Sequence, residues 1–268
     1  MTNLKNIQNF SFYFVLRKGI VIYMEKIDVL GVKFDNVNME EAIDRCKEFI
    51  NGDSSHLIVT PNPEIVMAAK DNEEFKNIIN TASLVIPDGI GVVKGAAILG
   101  TPLKERVAGF DLICNLLELY KDGSHTFYFW GSKPRIAEIA KQKMEEKYPN
   151  IKIIGVDDGY FDDKKKQEII EKLRNLKPDI LLVGTGAPRQ EKLINELLKE
   201  NIFKIGIGCG GSIDVLSGTV KRAPNLFIKL NMEWAWRLIK QPSRIGRMMV
   251  LPKFLQEVKQ VAKKKKES

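Results

Sequence analysis

Cysteine and histidine are scarce here, and neither is clustered. Cys46, Cys114 and Cys209 lie far apart, and His56 and His125 each stand alone. A scattered, odd set of thiols excludes a disulfide scaffold, offers no metal knuckle and fits a reducing compartment. Both histidines fall beside strand patterns and read as structural. No two aspartates are spaced D-x-D, so a divalent ion on a nucleotide diphosphate has no obvious clamp, and the pairs Asp157-Asp158 and Asp162-Asp163 read as a solvated loop. The expectation is a protein that needs neither metal nor cofactor. No apolar run reaches the ~18 residues of a membrane-spanning helix. Internal repeats and long Gly/Ser linkers are missing too. So is a G-x-G-x-x-G turn after a first strand with an acidic residue ~20 positions on, which argues against a nicotinamide-dependent oxidoreductase.

What is present is ordinary globular composition: 268 residues, 44% hydrophobic and 28% charged. The net charge of +8 is unevenly placed. The last 49 residues, from Val220, hold thirteen Lys and Arg against three acids, while the remainder is slightly acidic. Such an end suits a polyanion, either phosphate or anionic lipid, or else a solvated face. The acidic remainder offers no second basic face, so nucleic acid is not an expected partner. At the other end, Phe10 to Leu16 is a short apolar stretch cut by Arg17 and Lys18, with no small-residue cleavage site after it. Residues 1–23 therefore read as an extension, or an over-early start, ahead of a fold that begins near Met24.

Short apolar runs at Ile27–Val32, His56–Val59, Leu84–Ile86, Thr126–Trp130, Lys152–Gly155, Ile180–Val183 and Lys204–Ile207 predict strands. Amphipathic stretches at Met39–Ile50, Glu64–Asn80, Phe110–Tyr120, Lys133–Lys147, Lys164–Leu176 and Arg189–Glu200 predict the helices between them. The alternation predicts an α/β fold: an open, mostly parallel, Rossmann-like sheet with helices on both faces, over residues 24–218. After Gly218 the pattern becomes a helical appendage. It predicts a helix at Asn225–Lys240 ended by Pro242, and a last helix at Leu251–Val261 before the lysines. Trp and Phe beside Arg and Lys there suit a membrane interface or a clamp on an anion; the plain alternative is docking of an apolar stripe on the core.

Open α/β sheets bind ligands beyond the carboxyl ends of their strands. The loops predicted there contain Thr60 and Asn62; Asp88; Gly131; Gly184, Gly186 and Gln190; and Gly210, Gly211 and Asp214. Glycine turns feeding helices expose N–H groups that suit a diphosphate, although glycine also serves turn geometry alone. Asp88 follows an apolar strand and precedes Gly89. It is either a general base on a rigid stem or the cap of the next helix. Thr60 and Asn62 are either sugar-orienting groups or turn and cap residues. Arg222, Arg237, Arg244 and Arg247 can supply the counter-charge that a metal would otherwise give a diphosphate.

The ordered motifs T-P-N-P-E, P-D-G-I-G, G-T-G-A-P-R-Q-E, G-C-G-G-S-I-D followed by G-T-V-K-R-A-P, E-W-x-W-R-L and Q-P-S-R-I-x-R resemble the WecG/TagA/CpsF glycosyltransferase family. The similarity runs from about Glu25 to Phe254 and looks nearest to the TagA branch. The resemblance implies transfer of N-acetylmannosamine, with inversion, from its UDP donor to the 4-hydroxyl of N-acetylglucosamine on undecaprenyl diphosphate, for wall teichoic acid. A related UDP-sugar transferase of enterobacterial-common-antigen or capsule type is the alternative. By the same resemblance Asp88 matches the general base, and Thr60, Asn62 and Gln190 match pocket residues. Arg237, Arg244 and Arg247 match arginines that close over the site, Arg237 taking part in catalysis. The implied enzyme is metal-independent, cytoplasmic and peripheral on the inner face of an anionic membrane; a homo-oligomer stays open. Nothing functional carries over to residues 1–23.

Overall fold

The computed structural model describes residues 12–17, 20–230, 232–240, 246 and 249–267; the side chains of 12–17, 20–24, 237 and 266 lie outside that description. Two sheets form. In the small antiparallel one, β1 (Phe12–Arg17), β2 (Ile20–Val29) and β3 (Val32–Asp35) lie in sequence order. The predicted single strand Ile27–Val32 is thus a hairpin, because Leu30 and Gly31 both take positive φ, 55° and 90°. β2 also runs through Met24 without a break and pairs with β1.

The main sheet is parallel, in the order β5-β4-β9-β8-β6-β7. Its strands are β4 (His56–Val59), β5 (Leu84–Val85), β6 (Thr126–Gly131), β7 (Lys152–Asp157), β8 (Ile180–Gly184) and β9 (Ile205–Gly208). The chain moves outward from β4 to β5, crosses to β6, moves outward to β7, and returns through β8 to β9 in the middle. The loop after the last strand therefore sits at the centre of the carboxyl edge. Strand alternation supplies two apolar faces. Leu57, Val59, Tyr128, Trp130, Leu181 and Val183 face one core; Ile58, Phe127, Phe129, Leu182, Ile205 and Ile207 face the other.

The predicted Glu64–Asn80 helix is two, α2 (Pro63–Lys70) and α3 (Glu73–Thr81), because the Asn72 side chain accepts the Phe75 N–H and opens a new helix. Asp157, expected in a solvated loop with Asp158, is buried instead. It ends β7, opposite Trp130, accepts from the Tyr128 hydroxyl and pairs with Lys172 at 2.9 Å. Burial pushes the Tyr128 phenol far above its ordinary value.

The C-terminal segment has α10 (Asn225–Lys229) and α11 (Glu233–Lys240) in place of one Asn225–Lys240 helix. It ends in α12 (Val250–Glu267), which continues through the lysine run rather than stopping at Val261. Phe254 and Val258 of α12 are fully buried in the main core. They lie on α4 (Ile90–Ile98), where a Cβ at Gly95 would meet the Phe254 ring at 2.8 Å and one at Gly91 would meet Leu251 at 2.8 Å. Two helices can approach this closely only over glycine. Lys70 and Glu257, 2.7 Å apart, tie α12 to α2 as well.

Phe254→Ala is expected to lower the unfolding free energy by about 3–5 kcal/mol, as for other buried Phe truncations. Denaturant unfolding measures it; a loss below about 1 kcal/mol would mean that α12 does not pack on α4 as described.

Candidate active site

Asp88 stands just beyond the end of β5, its N–H donating to Pro61 O at 3.2 Å across the β4 loop. Gly89, at φ 112°, is the N-cap of α4, and no side chain hydrogen-bonds at that cap. Asp88 thus stands one position ahead of the cap. Its carboxylate faces Arg106, with Oδ1 3.9 Å from Nη2. The same Arg106 nitrogen bonds Glu233 on α11. Both partners of that pair are mostly buried, at 17% and 16% side-chain exposure.

Arg106 carries no motif and was not legible as a site residue. Its position is set by its neighbours. The Lys104 N–H donates to Asn36 and its ammonium pairs with Glu41 at 2.6 Å. Glu105 accepts the Met39 N–H at 2.7 Å, and the Val107 N–H donates to Pro87 O at 3.0 Å. A loop pinned at residues on either side of Arg106 aims its guanidinium at the end of β5.

Thr60 lies in the same corner, against Gly109, its hydroxyl 3.5 Å from Gly208 O. Asn62 caps α2, accepting the Ile65 N–H at 3.0 Å, so its turn-and-cap role is the one observed. Gln190 is buried and bonded at both ends: Nε2 donates to Glu191 at 2.7 Å and Oε1 accepts the Gly210 N–H at 3.0 Å. It braces the glycine loop after β9, and the Gly210 N–H is engaged by that brace. Glu191 is 1% exposed, and its Oε2 has no hydrogen-bond partner. Burial pushes this carboxyl above the ordinary carboxylate range, more than the Gln190 bond lowers it.

Further along the edge the strand ends meet as bare backbone. Gly131 and Gly184 are register partners, and a Cβ on Gly131 would meet Gly184 backbone at 2.6 Å. The Ser132 hydroxyl donates to Asp214 at 2.7 Å. Above them opens a cleft of about 710 Å³, lined by Ser132, Lys133, Tyr160, Thr185, Arg189 and Asp214 among others. Arg189 is held at its rim, 4.1 Å over the Phe161 ring and bonded to Gly159 O. Tyr160 is 68% exposed, and the buried Thr185 hydroxyl has no partner. Lys133, Tyr160, Thr185 and Arg189 were not singled out in the sequence; Thr185 and Arg189 lie within the G-T-G-A-P-R-Q-E motif, and Tyr160 is an aromatic after a glycine near a strand end. Gly186, at φ 83°, lies in the next turn, whose Ala187–Pro188 bond is cis.

Gly211, Asp214 and Arg222 line a second cleft under α11. Arg222 bonds Asp111 and stacks over Phe110. Arg237 lies in α11, but its side chain is outside the described residues, as are Arg244 and Arg247 entirely. Among the described residues, no three His, Cys, Asp or Glu side chains converge as a metal donor set, and no helix is long and apolar enough to cross a membrane.

The Glycosyl transferase WecG/TagA/CpsF family matches residues 27–268. The chain belongs to that family. It is 35% identical over 247 residues to proteins of Staphylococcus aureus strains MRSA252, MW2 and NCTC 8325 / PS 47. The match covers 91% of this chain and 96% of each relative. Each relative is named N-acetylglucosaminyldiphosphoundecaprenol N-acetyl-beta-D-mannosaminyltransferase. In this glycosyltransferase family member the motifs T-P-N-P-E, P-D-G-I-G, G-T-G-A-P-R-Q-E and G-C-G-G-S-I-D fall at the carboxyl edge of the parallel sheet, the side on which such sheets bind ligands.

Glu191 gives a pH-dependent test. A carboxyl whose affinity for protons is higher folded than unfolded makes the fold less stable as pH rises above the ordinary carboxylate range. Glu191→Gln removes that loss. The variant should gain stability on the wild type as pH rises from the ordinary carboxylate range upward, by denaturant unfolding at each pH. A difference that does not change with pH would show that folding does not raise the proton affinity of Glu191.

Proposed function

We propose that this protein transfers N-acetylmannosamine from a UDP donor to the 4-hydroxyl of N-acetylglucosamine on undecaprenyl diphosphate, with inversion. The observation that carries the reading is Asp88, a carboxylate on a rigid strand end beside Arg106, in a chain 35% identical along nearly its whole length to relatives named for that sugar and that acceptor.

In this reading the nucleotide lies in the cleft over Gly131 and Gly184. Tyr160 offers an aromatic face to the base. Lys133 and Arg189 offer positive charge to the diphosphate, doing electrostatically what a metal would do elsewhere. The acceptor 4-oxygen attacks the anomeric carbon from the side opposite UDP. Asp88 takes the hydroxyl proton as the new C–O bond forms, and the bond from the anomeric carbon to the UDP oxygen breaks. Inversion follows from that single displacement. Arg237, Arg244 and Arg247 close over the diphosphates from the C-terminal segment.

The lipid acceptor places the enzyme on the cytoplasmic surface of a membrane. Leu226, Leu230, Trp234, Ile239 and Met249 are exposed on and beside α10 and α11, and α12 carries Lys263, Lys264 and Lys265 in the open. Exposed apolar side chains and lysines in one C-terminal segment are what an anionic bilayer attracts.

Asp88→Asn should lower kcat by about 10²–10⁴, the range for loss of a general base, with EDTA present throughout and UDP binding retained. Turnover of a UDP-N-acetylmannosamine donor on a lipid-diphosphate acceptor measures it. A variant within tenfold of the wild type would remove Asp88 as the base.

A further inference from the structure

The cleft under α11, about 540 Å³, adjoins the one given above to the nucleotide. The two share Lys133 and Asp214 in their linings. Its lining also includes Glu233, which bonds Arg106 beside Asp88. The second cleft thus borders both the nucleotide cleft and the Glu233–Arg106 pair.

Its lining has three features that point to one ligand chemistry. First, it is cationic: Lys133, Lys221, Arg222 and Lys240 outnumber Asp214 and Glu233. Those two carboxylates already have partners in Ser132 and Arg106, and Arg222 is paired with Asp111. Among the described residues Lys133 and Lys221 have no ion pair, so their charge is available. Second, the Trp236 indole N–H is buried at this cleft with no acceptor among the described residues, a donor that an incoming oxygen would satisfy. Third, Phe110, Ile136 and Val215 give an apolar wall, with Lys240 over the Trp236 ring at 4.8 Å. Anion-seeking lysines, one unmet N–H and an apolar wall together suit a diphosphate ester carrying a sugar on one side and a hydrocarbon on the other.

We propose that this cleft binds the acceptor: Lys221 faces its diphosphate, and the Trp236 N–H donates to an oxygen of the acceptor's phosphate or sugar. The proposal rests on the transferase reading above and names the subsite that the reading leaves open. It gives the two substrates adjoining clefts that share Lys133 and Asp214 in their linings. It also explains why this strip of the C-terminal segment pairs with Arg106 rather than standing clear of the site.

The test uses the full chain, UDP-N-acetylmannosamine and a soluble short-prenyl N-acetylglucosaminyl diphosphate. Lys221→Ala and Trp236→Phe are each expected to raise the acceptor KM about tenfold, the size of one charge-assisted hydrogen bond. The donor KM and the calorimetric affinity for UDP should stay within about twofold. Lys221→Arg, which keeps the charge, should restore most of the loss. An increase in donor KM or a weaker UDP affinity instead would give the cleft to the donor and overturn the proposal. So would unchanged constants in both exposed-lysine and indole variants. Acceptor binding is also measured by calorimetry without donor. Wild-type binding that weakens in Lys221→Ala, in a protein that transfers nothing, would fault the reaction and keep the subsite. No wild-type binding at all would overturn the subsite itself.

Discussion

The site depends on one guanidinium held between two carboxylates that belong to distant parts of the chain. Arg106 stands 3.9 Å from Asp88 and is bonded to Glu233, and little solvent reaches it. Taking a cation out of water is costly unless acids compensate it, and removing either partner of a buried pair leaves the other charge uncompensated. Arg106 therefore needs both acids. The requirement fixes α11 over the end of β5, so that the C-terminal segment becomes part of the wall around Asp88.

A second constraint acts on the same corner from below. α4 begins directly after Asp88 and Gly89, and α12 lies on it through Gly91 and Gly95. The last helix of the chain thus supports the helix whose start carries the acid. On the other side of β4, the buried Glu191–Gln190 pair braces the loop after β9, whose Gly208 carbonyl lies against Thr60. Asp88 is fixed by backbone and packing on all these sides before any substrate enters, which is the kind of preorganisation that positions a reacting group.

Much of this could be read in the sequence, for identifiable reasons. Continuous apolar runs ending in glycine or proline mark buried parallel strands, and the residues just after them mark the ligand edge; Asp88, Thr60 and the glycines were found that way. Arg106 was not, because its placement comes from hydrogen bonds of Lys104, Glu105 and Val107 to distant residues, which leave no local pattern. Asp157 was misread because two adjacent aspartates look solvated, whereas strand register turns the first one inward to Tyr128 and Lys172. The Glu64–Asn80 helix was drawn through Asn72, a capping residue whose signal the apolar period outweighed. The lysine run was set outside the last helix on charge alone, although Phe254 and Val258 anchor the turns before it.

Arg106 links Asp88 to the C-terminal segment. A double-mutant cycle of Arg106→Gln and Glu233→Gln, read on kcat/KM for the acceptor, tests it most directly. Coupling of about 0.5–3 kcal/mol is predicted, the range for residues in one charged network. Effects that simply add, to within about 0.3 kcal/mol, would contradict it.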